Sequence, residues 1–306
     1  QSFLSSNCMT EMREEDFFET DDVVAEVDSE VKRVADTFRF ALKYKEQFQA
    51  SGIEFSDLRQ YNTSDDASRI DWKNSAKSQD LYVKEYEEEK DMDVFIALDA
   101  SDSMMFGTTE KMKSEYAAIV AAAIAYASTD AGIDVGFGLF GKDELYISPD
   151  GGNAQYQRIL HEVSDFDNYG GDFNLEEALN SIIGQIKENT SVFIISDFIR
   201  PQGDWKSKML VASKKFRHVM NVMVKDLRDY KLPENGNMRF EDISKGEQLV
   251  VNTSRVKEEY NKEAQKREEH IKNKVEGAGA SMLKIDTRDQ FSAKFAKYFD
   301  EAGDEW

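Results

Sequence analysis

The hydrophobic pattern divides the chain into regions of different character. Beyond residue 93, short unbroken apolar runs alternate with stretches whose apolar positions recur every three to four residues. The runs 94–98 (VFIAL), 192–195 and 219–224 lack polar alternation, as strands covered on both faces do. Helical periodicity predicts helices over 111–129, 154–163, 175–187, 205–216 and 254–276, with a closing helix over 291–299. Strand-like pieces at 134–140 and 144–147 are joined by Gly141, Lys142 and Asp143, which predicts a hairpin; 238–240, 248–251 and 282–285 complete the strands. Alternating strands and helices predict an α/β fold, a doubly wound and mostly parallel sheet of Rossmann type flanked by helices.

Upstream the pattern differs. Val23, Val27, Val31, Val34, Phe38 and Leu42 are spaced for one long amphipathic helix. Residues 50–90 lack helical period and contain a strand-like run at 81–86, predicting a segment that wraps over the domain. The first 30 residues hold ten acids against the single base Arg13, a disordered acidic arm. The predicted divisions are the arm at 1–22, the helix and wrapping segment at 23–90, and the α/β domain at 91–302.

Charge then narrows the function. Across 306 residues, 60 acids against 39 bases give a net charge of −21. Neutralising phosphates takes Lys and Arg, so nucleic acid and anionic membrane are poor partners. Cys8 is the one cysteine, which excludes an internal disulfide or an all-cysteine metal site and favours a reducing, cytoplasmic compartment. The longest apolar stretch, 116–128, is too short for the roughly 20 residues that span a bilayer and reads as a buried helix. The chain opens on Gln1, consistent with a removed upstream segment, so the expectation of no membrane anchor covers only the residues shown.

Ligands of open α/β sheets gather at the C-terminal ends of the strands. There the first buried strand runs into Asp99, Ala100, Ser101, Asp102 and Ser103, and the second into Ser196 and Asp197. If those strands are neighbours, Asp99, Ser101, Ser103 and Asp197 converge as hard oxygen donors suited to Mg²⁺, Mn²⁺ or Ca²⁺, with Asp102 facing elsewhere.

The D-x-S-x-S string between an apolar strand and a helix resembles the metal-ion-dependent adhesion site of von Willebrand factor type A (vWA) domains, over residues 91–302. The resemblance implies a further threonine from a Gly-rich loop. Gly170-Gly171-Asp172-Phe173-Asn174-Leu175 matches that loop without a threonine, leaving either Phe173 or Asp172 in its place.

A wider resemblance is carried by Gly52-Ile53-Glu54-Phe55, Leu58-Arg59-Gln60-Tyr61, Asp65-Asp66, Arg69-Ile70-Asp71-Trp72 and Ser75-Ala76-Lys77, then Met104, Phe106, Gly107, Lys111 and Leu232-Pro233. These are similar to the signature of the domain of unknown function 58 family. The residues themselves read as an ion-pair network in which Arg59, Arg69 and Asp71 fasten the wrapping segment and Trp72 anchors it, or as a partner-binding surface. The resemblance implies a non-enzymatic module: an adaptor or co-chaperone of a MoxR-type AAA+ ATPase, whose carboxylate would complete a Mg²⁺ site.

The alternatives are a metal-dependent phosphoester hydrolase on the same rim, and a scaffold with a degenerate metal site. Gly136 to Asp143 (GFGLFGKD) approaches a phosphate-binding loop, but Asp143 stands where a hydroxyl belongs and the interior alternates as a strand does. His161, His218 and His270 are scattered and offer no zinc pattern.

Overall fold

A computed structural model describes residues 24–25, 27–29, 31–32, 55–61, 75, 81–86, 92–109, 111–199, 201–233, 236–241 and 248–302. The continuous apolar runs form the middle of one six-stranded sheet. Its strands are β3 (Asp93–Asp99), β4 (Val135–Phe140), β5 (Glu144–Asp150), β6 (Thr190–Ser196), β7 (His218–Lys225) and β10 (Ser281–Asp286), in the order β10-β7-β6-β3-β4-β5. All neighbours are parallel except β5, which returns antiparallel beside β4 as the predicted hairpin. Two separate antiparallel pairs are β1 (Phe55–Gln60) with β2 (Tyr82–Tyr86), and β8 (Asn237–Glu241) with β9 (Gln248–Asn252).

The two sides of the sheet bury different helices. Val94, Ile96 and Leu98 of β3 join the core formed with α1 (Lys113–Asp130), α2 (Gly152–Ser164) and α6 (Phe291–Ala302). Phe95 and Ala97 join that of α3 (Leu175–Gln185), α4 (Trp205–Lys215) and α5 (Thr253–Glu276). This is the doubly wound α/β architecture expected from the sequence. α1 is buried on every side from Lys113 to Ser128, as a helix apolar all round must be. Its alanines let it sit close to both the sheet and α2.

Gly136 and Gly138 lie inside β4, so the GFGLFGKD string is a hairpin, as expected. A Cβ at Gly136 would come within 2.8 Å of the Phe95 ring, and one at Gly138 within 2.9 Å of the Phe140 ring. The glycines make room for aromatic side chains rather than for phosphate.

Val24, Ala25, Val27, Asp28, Ser29, Val31 and Lys32 are helical; Val27 and Val31 are buried in the first core, and Asp28 accepts a 2.7 Å hydrogen bond from the Tyr156 hydroxyl. The described part of the N-terminal amphipathic stripe therefore docks on α2. The sequence pattern did not mark β1, whose FSDLRQ mixes apolar and polar residues without strict alternation. Arg59 stands on it, opposite Val83. Arg69, Asp71 and Trp72 lie outside the described residues, as do the acidic arm and most of the wrapping segment.

Candidate functional site

β3 and β6 are parallel neighbours, with Leu98 beside Ile195. The chain leaves β3 through α1 toward β4, and leaves β6 through α4 toward β7, so the connections diverge and open a crevice between the two strand ends. Asp99 ends β3 on one side of it and Asp197 follows β6 on the other.

The loop after β3 is tightly specified. Asp99 Oδ1 accepts the Ser101 N–H at 2.9 Å, and its Oδ2 accepts the Ser196 hydroxyl at 2.6 Å. The Ser101 and Ser103 hydroxyls are 3.2 Å apart, on the same side of the turn. Asp102 faces elsewhere, as expected: its Oδ1 accepts the Gly171 N–H at 3.0 Å while its own N–H donates to the Gly171 carbonyl. The Gly170 N–H donates to the Ala100 carbonyl at 2.7 Å. The Gly-rich loop is thus tied to the D-x-S-x-S loop through the backbone of Gly170 and Gly171. A Cβ on Gly171 (φ +77°) would lie 2.7 Å from the Lys142 Cα.

Beyond that loop, partly buried Phe173 packs on Phe140, with ring centres 6.5 Å apart, and lies against the second core. Asn174 caps α3 by accepting the Glu176 and Glu177 N–H groups. Of the two residues that could replace the missing threonine, Phe173 is committed to packing and Asp172 is exposed.

On the opposite side, Phe198 takes φ +50°, a left-handed conformation uncommon for a bulky residue. The turn aims its ring into the second core, brings its N–H to the Ser196 hydroxyl at 3.0 Å, and leaves the Asp197 carboxylate facing Lys113.

From the sequence this rim is simply acidic. The structure corrects that, because two lysines are buried in it. Lys113 Nζ lies 2.7 Å from Asp197 Oδ2 and 3.3 Å from Asp229, with its side chain 1% exposed. Lys225 is also buried, and its ammonium donates to the Asp197 backbone carbonyl.

The charges divide accordingly. Burial alone would raise the Asp197 pKa, but the two ammonium groups hold it below the usual carboxylate range. Burial would lower the Lys113 pKa, and Asp197 with Asp229 more than offset it. For Lys225 burial wins, and its pKa falls. Asp99 has no ammonium or guanidinium partner among the described residues; burial and then the Asp197 charge push it up to about 7. Asp226, buried after β7, is held by the Thr108 N–H and hydroxyl and the Arg228 N–H.

Lys113 and Lys225 are the site residues that sequence reasoning missed. Each carries a signal in retrospect. Lys113 opens a helix apolar on all faces, and Lys225 ends a strand buried from Val219 onward, so both are forced indoors.

As a donor set for a cation, the rim offers one carboxylate free of positive charge (Asp99), the hydroxyls of Ser101 and Ser103, and Asp197, whose oxygens already accept from Lys113 and the Ile199 N–H. Among the described residues no three His, Cys, Asp or Glu side chains gather closely enough to hold a metal by themselves. The residues present fit a hard ion that keeps part of its water, as Mg²⁺ does.

A mostly parallel α/β sheet with this loop at its switch point is a vWA-like domain. The chain belongs to the family described as protein of unknown function DUF58, which it matches over residues 57–270. Uncharacterized proteins of Mycobacterium tuberculosis and Mycobacterium bovis are 22% identical to it over 252 residues, 81% of this chain and 78% of theirs. Among solved structures, the conserved hypothetical protein BatB of Bacteroides thetaiotaomicron is 16% identical, with a TM-score of 0.46 over 69% of this chain and 98% of that one. A von Willebrand factor type A protein of Catenulispora acidiphila is 14% identical, with a TM-score of 0.38 over 72% and 43%. No helix among the described residues is long and apolar enough to cross a membrane.

Proposed function

We propose that the rim is a divalent-cation site through which this chain grips the carboxylate of a protein partner. The observation that carries the reading is the charge deficit at Asp99: a buried carboxylate, met by two neutral donors and no cation, beside the paired hydroxyls of Ser101 and Ser103. A Mg²⁺ ion held by these three residues and by Asp197, with exposed Asp172 close by in sequence to the tied Gly-rich loop, would supply the missing positive charge. A partner's Asp or Glu would displace one of its waters. This chain's residues would orient the ion and exclude solvent, and no bond is made or broken.

The choice of partner comes from the family resemblance, which points to a MoxR-type AAA+ ATPase with this chain as adaptor or co-chaperone. The test is capture of the purified ATPase by the full chain. Capture should require Mg²⁺, be lost in EDTA, and be lost in Asp99→Ala. Capture that persists in all three conditions would overturn the metal-bridged reading.

One observation favours a second reading. The Lys113 ammonium on Asp197 is a built-in cation at the rim, as a degenerate, metal-free site in a scaffold would keep. A phosphoester hydrolase would use the same acids but needs a base; His218 opens β7, at the far end of the sheet from the rim.

A further inference from the structure

Lys113 is the one feature of the rim that a plain donor set for Mg²⁺ leaves unexplained. A lysine beside a ligand carboxylate opposes metal binding, because two cations sharing one anion repel each other. Yet the buried ammonium lies 2.7 Å from Asp197 Oδ2, while the other oxygen of that carboxylate accepts the Ile199 N–H at 3.0 Å. Both Asp197 oxygens are thus engaged, whereas Asp99 meets only neutral donors. Lys225 does not contest the ligand oxygens, since it donates to the Asp197 main-chain carbonyl.

The ammonium has a second anion within reach. Asp229, in the turn after β7, presents its two carboxylate oxygens to Lys113 Nζ at 3.3 and 3.4 Å. Asp229 is itself anchored, because its Oδ2 accepts the Asp226 N–H at 2.9 Å. The lysine stem is flexible, and a small rotation near its end carries the charge from one carboxylate toward the other. In neither position is a buried ammonium left without an anion, which is the arrangement that costs most.

Resting on the divalent-cation reading of the rim, we propose that Lys113 is a resident counter-ion that regulates the site. It neutralises Asp197 in the metal-free chain, and it yields that carboxylate to an entering Mg²⁺ while keeping Asp229. The empty crevice is thereby held together by the ammonium. The same ammonium makes the ion bind less tightly than the oxygen donors alone would allow.

Calorimetric Mg²⁺ titration of the full chain, parent against Lys113→Gln, tests this. The Gln side chain keeps a donor for Asp197 and removes the charge, so Mg²⁺ should bind about tenfold more tightly than in the parent. A lysine that only held the crevice in shape would give the opposite sign, because a loosened site binds more weakly. Asp229→Asn keeps an acceptor for the Asp226 N–H but removes the anion to which the ammonium retreats. It should weaken Mg²⁺ binding about tenfold, and should lose most of that effect in the Lys113→Gln background. Asp229→Asn alone decides the matter should Lys113→Gln fail to fold. In the parent, the ¹⁵N signal of the Lys113 ammonium should shift as Mg²⁺ is added. A parent that takes up no Mg²⁺ would overturn the cation reading and the counter-ion with it. A parent that binds Mg²⁺ while Lys113→Gln binds it no more tightly, Asp229→Asn binds it equally well, or the Lys113 signal stays in place, would overturn the counter-ion alone.

Discussion

The Lys113 ammonium sits 2.7 Å from the Asp197 carboxylate with both side chains sealed from solvent, at 1% and 3% exposure. The pair joins the first turn of α1 to the end of β6, and so fixes the two sides of the crevice relative to one another. Removing one member of a buried pair leaves the other charge uncompensated.

Lys113→Met should therefore cost about 3–5 kcal/mol of stability, whereas Lys113→Met with Asp197→Asn should recover part of that loss. Urea unfolding of the two single variants and the double variant gives the coupling energy. A double variant as unstable as the sum of the singles would show the pair to be energetically independent.

Asp99 makes the metal-free protein respond to pH in the opposite sense from an ordinary ion-paired carboxylate. Its folded pKa, pushed up to about 7 from the ordinary 3.8, means the fold holds the proton more tightly than the unfolded chain does. Stability is thus fullest at and below the ordinary carboxylate range and falls as pH rises toward 7, levelling above it. Asp197, shifted the other way, contributes stability above the ordinary range that is lost only in acid. Urea midpoints in EDTA should decline from pH 5 to pH 7.5, and Asp99→Asn should flatten that decline. If a cation binds, it must displace the same proton, so its affinity should fall below pH 7.

Asp102 and Asp99 sit three residues apart and do different work. Asp102→Ala removes the acceptor of the Gly171 N–H and should destabilise the chain by about 1–2 kcal/mol while cation binding persists. Asp99→Ala should abolish cation binding. Equal loss of binding in both variants would show that loop anchoring, rather than ligation, governs the site.

Gly171→Ala places a Cβ against the Lys142 backbone from a positive φ and cannot be accommodated by a side-chain rotation. Its cost should be about 1–3 kcal/mol. Because the same loop is tied to Ala100 and Asp102, the variant should also weaken cation binding. A melting temperature unchanged from the parent would contradict this close approach.

Much of the fold was legible because buried parallel strands are continuous apolar runs: VFIAL (94–98) and VFII (192–195) announce β3 and β6, and their ends announce Asp99 and Asp197. The hairpin at Gly141 and the all-round apolar α1 were legible for the same reason. Neither β1 nor the two lysines could be read so directly. β1 is specified by its pairing with β2 rather than by its own pattern. Lys113 and Lys225 acquire their roles only when the sheet order brings residues 113, 197, 225 and 229 together, a relationship with no local signature. The Gly-rich loop shows the same limit: its sequence left either Phe173 or Asp172 in the threonine's place, and the contact of Phe173 with Phe140 has no local signature.

Calorimetric titration of the full chain with Mg²⁺ at pH 8 tests most directly whether Asp99 and its neighbouring hydroxyls bind a divalent cation. One saturable site is expected, weakened in Ser101→Ala and in Ser103→Ala and absent in Asp99→Ala. A chain that takes up no Mg²⁺, or an Asp99→Ala variant that binds as the parent does, would contradict it.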